Sequence, residues 1–191
     1  MLDFCIYLKN IDAFSPQAFE AYCLSLGFDI KLHPAFDLVK NVGFLPMRLI
    51  DVRFAIYQNG GSFLTGFEVY SEPSEHTVSA PPQKVSLFKK LFSKKQPKET
   101  PFDQAVKDCT YLVSLRCGVA DSFEILMAFI FGGYLIKTYG GIFDDPQCDY
   151  YYDDSQQLEL AANEFLAHLI EKSEKGELQT HPFQGWEATE A

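Results

Sequence analysis

ADSFEILMAFIFGGYLIKTYGGIFDDPQ, residues 120–147, contains a capped apolar helix, a Gly-Gly stop and a short strand running into an acidic turn. Asp121 and Glu124 have capping-box spacing, which satisfies the first free N–H groups of a helix. Ile125–Ile136 is apolar over 12 residues. A bilayer crossing needs about 20, so the spacing predicts a buried core helix. Gly140-Gly141 ends it, because glycine accepts the left-handed backbone that closes a helix. Gly132-Gly133, inside the helix, lacks the strand-loop-helix context and Lys-Ser/Thr ending of a phosphate loop. The pair reads instead as a place where a neighbour approaches closely. Ile142-Phe143 then begins a strand, with Cys148–Tyr152 as its hairpin partner.

Further along, Asp154-Ser155-Gln156-Gln157 starts a last helix. Leu158, Ala161, Ala162, Phe165, Leu166 and Leu169 form its apolar stripe and Gly176 its end. Upstream, Thr110–Cys117 (TYLVSLRC) reads as an apolar strand. Leu2–Lys9 reads as another, with Phe4, Ile6 and Leu8 on one face. Ser15-Pro16 supplies an N-cap and a proline at the first helical position. Phe19, Tyr22, Cys23 and Leu26 follow at helical spacing up to Gly27, and Phe28–Leu32 is a second strand. Gly43 and Pro46 break the pattern in 35–47, which predicts an irregular segment. Leu49–Tyr57 and Ser62–Tyr70 alternate around Gln58-Asn59-Gly60-Gly61, a hairpin signal. Residues 73–101 change character, with five of the ten prolines and six lysines (84, 89, 90, 94, 95 and 98). They read as a long basic surface loop or linker.

The chain therefore divides into a strand-helix-strand-hairpin half (1–72), the Pro/Lys-rich segment (73–101), a strand-helix-strand-helix half (102–176) and a polar tail (177–191). No repeat of fixed period occurs. The expected fold class is α+β, a mostly antiparallel sheet covered by two or three helices. Two small sheets joined by the basic loop are the alternative.

Composition narrows the function. The 191 residues suit one domain, or one domain with an insert, and 47% apolar content with 18 Phe and 10 Tyr fills a core without disulfides or metal. The net charge of −10 lacks the basic footprint that phosphate binding requires, so a nucleic-acid partner is not expected. Five cysteines, odd in number and without C-x-x-C spacing, fit a reducing cytoplasm. MLDFCIYLKN has no basic n-region, long apolar run or cleavage site of a signal peptide.

No catalytic constellation is present. His33, His76, His168 and His181 form no H-x-x-x-H or H-E-x-x-H pair, and no G-x-S-x-G or Cys-His signature occurs. The sequence predicts no enzyme and no cofactor. Asp144, Asp145, Asp149, Asp153 and Asp154 place five carboxylates within eleven residues. Calcium favours several oxygens in a loop, but the spacing is not D-x-D-x-D-G and no glycine makes the sharp turn, so metal is not expected. Two readings remain, plain solvated turns or a protein-binding patch to which the tyrosines at 150–152 add amphipathic contact. From Asp108 onward 15 Asp and Glu face four Lys and Arg, about −11, while the middle segment is basic. VSLFKKLFSKK (85–95) is a basic amphipathic run, short for a membrane anchor in so acidic a chain.

The strand-helix-strand order, with GFLPMRL (43–49), FLTGFEVY (63–70) and the buried helix ending in YGGIFDDPQ (139–147), resembles small bacterial immunity proteins. These are cytosolic partners of contact-dependent inhibition and other polymorphic toxins. The resemblance implies a non-enzymatic inhibitor that binds a cognate toxin domain, often a nuclease with a basic cleft. It carries over no individual residue. Charge alone marks the toxin-binding candidates, namely Asp144, Asp145, Asp149, Tyr151, Asp153 and Asp154, with Glu159, Glu164 and Glu171 on the last helix. The alternative function is a cytosolic adaptor or scaffold whose basic loop engages a partner or membrane surface.

Overall fold

The computed structural model describes residues 2–11, 13–33, 36–39, 43–50, 63–74, 100–118 and 123–178, with the backbone alone at 43–46 and 63–64. Seven strands form one sheet, each pair antiparallel: β1 (Leu2–Leu8), β2 (Ile30–Leu32), β3 (Gly43–Leu49), β4 (Phe63–Pro73), β5 (Tyr111–Cys117), β6 (Gly141–Asp145) and β7 (Tyr150–Tyr152). Their order is β2-β3-β4-β5-β1-β6-β7. The first strand thus lies between β5 and β6, and both parts of the chain share one sheet and one core. Four helices are described: α1 (Pro16–Ser25), α2 (Pro101–Val106), α3 (Phe123–Tyr139) and α4 (Ser155–Glu174). The expected α+β class and antiparallel sheet are what the chain adopts. The body of the basic loop, 75–99, lies outside the described residues.

Strand alternation gives the sheet two unlike faces. Phe4, Ile6 and Leu8 of β1, Val113, Leu115 and Cys117 of β5, Phe67 and Val69 of β4, and Phe143 of β6 are buried on the inner face. There α3 packs against β1, β4, β5 and β6, with α1 and α4 beside it. A helix enclosed on so many sides has no polar stripe, and every residue from Phe123 to Ile136 except Phe129 is buried. Phe131 is the hub, with ring centroids 5.1 Å from Phe19, 5.6 Å from Phe67 and 5.8 Å from Phe14.

The Gly-Gly pair inside α3 permits this packing. A Cβ on Gly132 would lie 2.3 Å from Phe143 Cδ2, and one on Gly133 would lie 3.0 Å from Tyr22 Oη. One glycine thus seats the helix on the sheet, and the other admits α1. Past the helix, Gly141 has φ +139° and lies so near β1 that a Cβ would meet the Tyr7 carbonyl oxygen at 1.9 Å.

Helix ends follow the sequence signals. Ser15 Oγ accepts from the Ala18 N–H at 3.2 Å, and Asp154 Oδ1 from the Gln156 N–H at 2.9 Å. Glu124, only 3% exposed in the first turn of α3, accepts from the Gly118 N–H. Its partner in the expected capping box, Asp121, lies outside the described residues.

Three expectations change. The 35–47 segment is not irregular throughout, because Gly43–Leu49 is a strand. Pro46 is accommodated where β2 has ended, its pairing reaching only Met47–Leu49; a strand with one open side tolerates proline. The hairpin register also differs. A tight turn at 58–61 would set Leu49 opposite Tyr70, whereas Leu49 pairs with Phe63. The turn itself lies outside the described residues. Finally, α2 occupies a stretch read as the end of a loop and the approach to β5. Thr100 caps it in a reciprocal box with Asp103, and Pro101 opens it.

Candidate functional site

The outer face of the sheet is polar where the inner face is aromatic. Arg116 at its centre reaches two flanking strands, with Nε 2.9 Å from Asp3 Oδ1 and Nη1 3.6 Å from Glu68 Oε2. Toward β6 and β7 the face becomes acidic and aromatic. Asp144 stands opposite Cys5 on one side and Tyr151 on the other. α2 lies over this end and packs against β6. Its Phe102 ring meets Tyr7 edge-on at 5.6 Å and Tyr151 at 5.7 Å and 64°.

Between α2 and the β6–β7 turn lies a cleft of about 590 Å³. Thr100, Pro101 and Phe102 form one wall; Asp144, Pro146, Asp149, Tyr150 and Tyr151 form the other. No Lys, Arg or His lines it among the described residues. The turn is pinned: Asp145 Oδ1 accepts from the Gln147 N–H at 3.1 Å, and Gln147 Nε2 donates to the Asp3 carbonyl at 2.9 Å. Asp149 adopts φ 51°, a left-handed conformation that Asp tolerates better than most residues.

Electrostatics follow from crowding. Partial burial pushes the Asp144 carboxyl above its usual range, and the charges of Asp145 and Asp149 add to the shift. Burial, with Cys5 and Asp144 nearby, pushes the Tyr7 hydroxyl up to about 12. An ionised Asp144 is therefore held at a cost.

The structure divides the nine charge-selected residues. Asp144, Asp149 and Tyr151 meet at the cleft. Asp145 points to the other face, is 9% exposed and holds the turn. Asp154 is a helix cap, and Asp153 is exposed beside it. Glu159 faces the helical layer, accepting from Tyr22 Oη at 2.8 Å and from Lys137 Nζ at 3.5 Å. Lys137 also lies 5.1 Å from the Tyr22 ring centre, so the three side chains tie α1, α3 and α4 together. Glu171 pairs with Lys175 one turn on, which lowers its carboxyl's pKa. Glu164 is exposed. One acidic surface running from Asp144 to Glu171 does not form, because Asp144 and Glu159 lie on opposite sides of the sheet.

Sequence reasoning missed Phe102 and the wall it belongs to. Thr100-Pro101-Phe102-Asp103 carries an N-cap, a first-turn proline and an N3 carboxylate, which was the signal available. All five cysteines are free thiols, and burial raises the pKa of Cys23 and Cys117. His168 is exposed, with its ring 5.9 Å from Phe165; His76 and His181 lie outside the described residues. Among the described residues no three His, Cys, Asp or Glu side chains gather as metal ligands, and no helix is long and apolar enough to cross a membrane. No family model, curated protein or solved structure matches the chain.

Proposed function

We propose that the chain is a cytoplasmic immunity protein, a non-enzymatic inhibitor that binds a basic toxin domain through acidic surface. The observation that carries this reading is the acidic-aromatic cleft at the end of the sheet, where Asp144 and Asp149 stand beside Tyr150 and Tyr151 on a hydrogen-bonded turn. Carboxylates and tyrosines on a fixed backbone fit a basic partner, since complementary fields speed encounter and aromatic rings anchor the contact. The net charge of −10 extends that field over the molecule. A nuclease cleft, basic because it must hold phosphate, is the partner class this chemistry fits best. Glu159 and Glu171, paired within the chain, drop out of the binding surface, and so does Glu164 on the same helix; Asp153 stays exposed beside the cap of that helix.

Co-expression tests the reading. The toxin domain encoded immediately upstream is produced alone and then with this chain, and growth is followed. Arrest relieved by this chain, with an association rate that falls steeply as salt rises, is the expected result. Arrest that soluble chain fails to relieve overturns it. Deleting residues 84–98 should leave protection intact; loss of a partner with that segment would favour an adaptor working through its lysines.

A further inference from the structure

We infer that the cleft between α2 and the β6–β7 turn receives an arginine side chain of a partner protein, its guanidinium held by Asp144 and Asp149 against the Phe102 and Tyr151 rings. The inference rests on the inhibitor reading for the partner's identity and deepens it by naming the contact.

Size and walls come first. A volume of about 590 Å³ lies within the roughly 300–1,000 Å³ of pockets that hold ligands. Two carboxylates beside the Tyr151 ring on one wall, facing the Phe102 ring on the other, match a guanidinium, which is planar, forks onto carboxylates and stacks on rings. An ammonium offers no plane to stack and is more strongly hydrated. Calcium favours several carboxylates gathered in one loop, and among the described residues no three His, Cys, Asp or Glu side chains gather as ligands.

The site also lacks something a cation would supply. Neither the Asp144 nor the Asp149 carboxylate accepts a hydrogen bond or forms an ion pair among the described residues. Asp144 is half-buried and repelled by two neighbouring carboxylates, so it keeps its charge at a cost that an incoming cation offsets. The Arg116 cluster on the same face does not serve, since both its carboxylates already have a guanidinium, that of Arg116. Finally, the walls are set beforehand. Asp145 and Gln147 pin the turn, and the Thr100–Asp103 box closes α2 at both ends of its cap. A site already ordered loses little entropy on binding.

The test uses the full chain, isotope-labelled and followed by NMR, with Ac-Gly-Arg-Gly-NH2 as probe. Its citrulline counterpart keeps the shape and loses the charge. Saturable shifts should centre on Phe102, Asp144 and Tyr151, with citrulline about tenfold weaker or more. The Asp144→Asn/Asp149→Asn double variant should weaken the arginine peptide about tenfold while the rest of its spectrum stays in place. Equal binding of both peptides, shifts centred elsewhere, no saturable shift, or a lysine peptide binding as well as arginine would each overturn the inference. No toxin takes part, so the two readings fail separately. A chain that binds the peptide yet gives no protection keeps its cleft and loses the inhibitor role. A double variant that protects as well as the parent keeps the inhibitor role and loses the cleft.

Discussion

The inner and outer faces of the same seven strands are stabilised differently. On the inner face Phe4, Phe67 and Phe143 are almost fully buried, and a helix with glycine at two points fits onto them through Phe131. Each buried side chain of this size contributes about 1.5–3 kcal/mol, and interiors so filled tolerate little change of volume. The outer face is held by a few exposed ion pairs and one short helix. Exposed pairs are worth about 0–1 kcal/mol. Stability therefore belongs to the inner face, which leaves the outer face free to carry charge that does not help the fold.

The largest effect should come from the inner face. Phe131→Ala removes the ring shared by Phe14, Phe19 and Phe67 and should cost about 3–5 kcal/mol in urea unfolding. A loss below 1 kcal/mol would mean that the aromatic cluster does not dominate. Next comes α2, the short helix over the outer face. Thr100→Ala opens the capping box of α2 and should cost about 1 kcal/mol. It should also loosen Phe102 from Tyr7, seen as faster amide exchange at 102–106. Unchanged exchange there would show that packing, not the cap, holds the helix.

The smallest effect has the opposite sign. The Asp144 carboxyl is raised above its unfolded value by burial, then by Asp145 and Asp149. Between the unfolded and the raised value the folded chain holds a proton that the unfolded chain has lost. Stability therefore falls as pH rises through that window and stays lower above it. Asp144→Asn should remove this dependence and raise stability at neutral pH within about 0.5 kcal/mol. A loss in that variant would reveal a favourable partner for the carboxylate and erase the contrast between the faces.

The inner face was legible in the sequence and the outer face was not, for a physical reason. Alternation in 2–8, the Ser15-Pro16 cap, the apolar 125–136 run and the Asp154 start are local patterns that the fold repeats almost residue for residue. The strand at 43–49 was hidden because Gly43 and Pro46 disfavour a strand locally, while pairing with Phe63–Val69 decides the matter from outside. Asn59-Gly60 suggested a register that the described ladder does not keep. Charge found Asp144, Asp149 and Tyr151, which do share a cleft. It equally selected Asp145, Asp154 and Glu159, whose carboxylates are committed to a turn, a cap and a tyrosine. Which carboxylate is free depends on what packs beside it, and composition does not record that.

The placement of β1 between β5 and β6 has a consequence in time. Asp3 and Arg116, paired across the sheet, lie 113 residues apart in the chain, and the β6 partner comes later still. At about 5–20 residues per second, a ribosome needs several seconds or more to deliver β5 after β1 has emerged. Phe4, Ile6 and Leu8 wait through that interval without the β5 and β6 neighbours they pack beside, and the earliest of the seven strands gains its partners only when β5 and β6 follow. Folding of this chain is thus tied to completion of its synthesis, and a truncated product ending before β5 would display an adhesive, unpaired strand rather than half a domain.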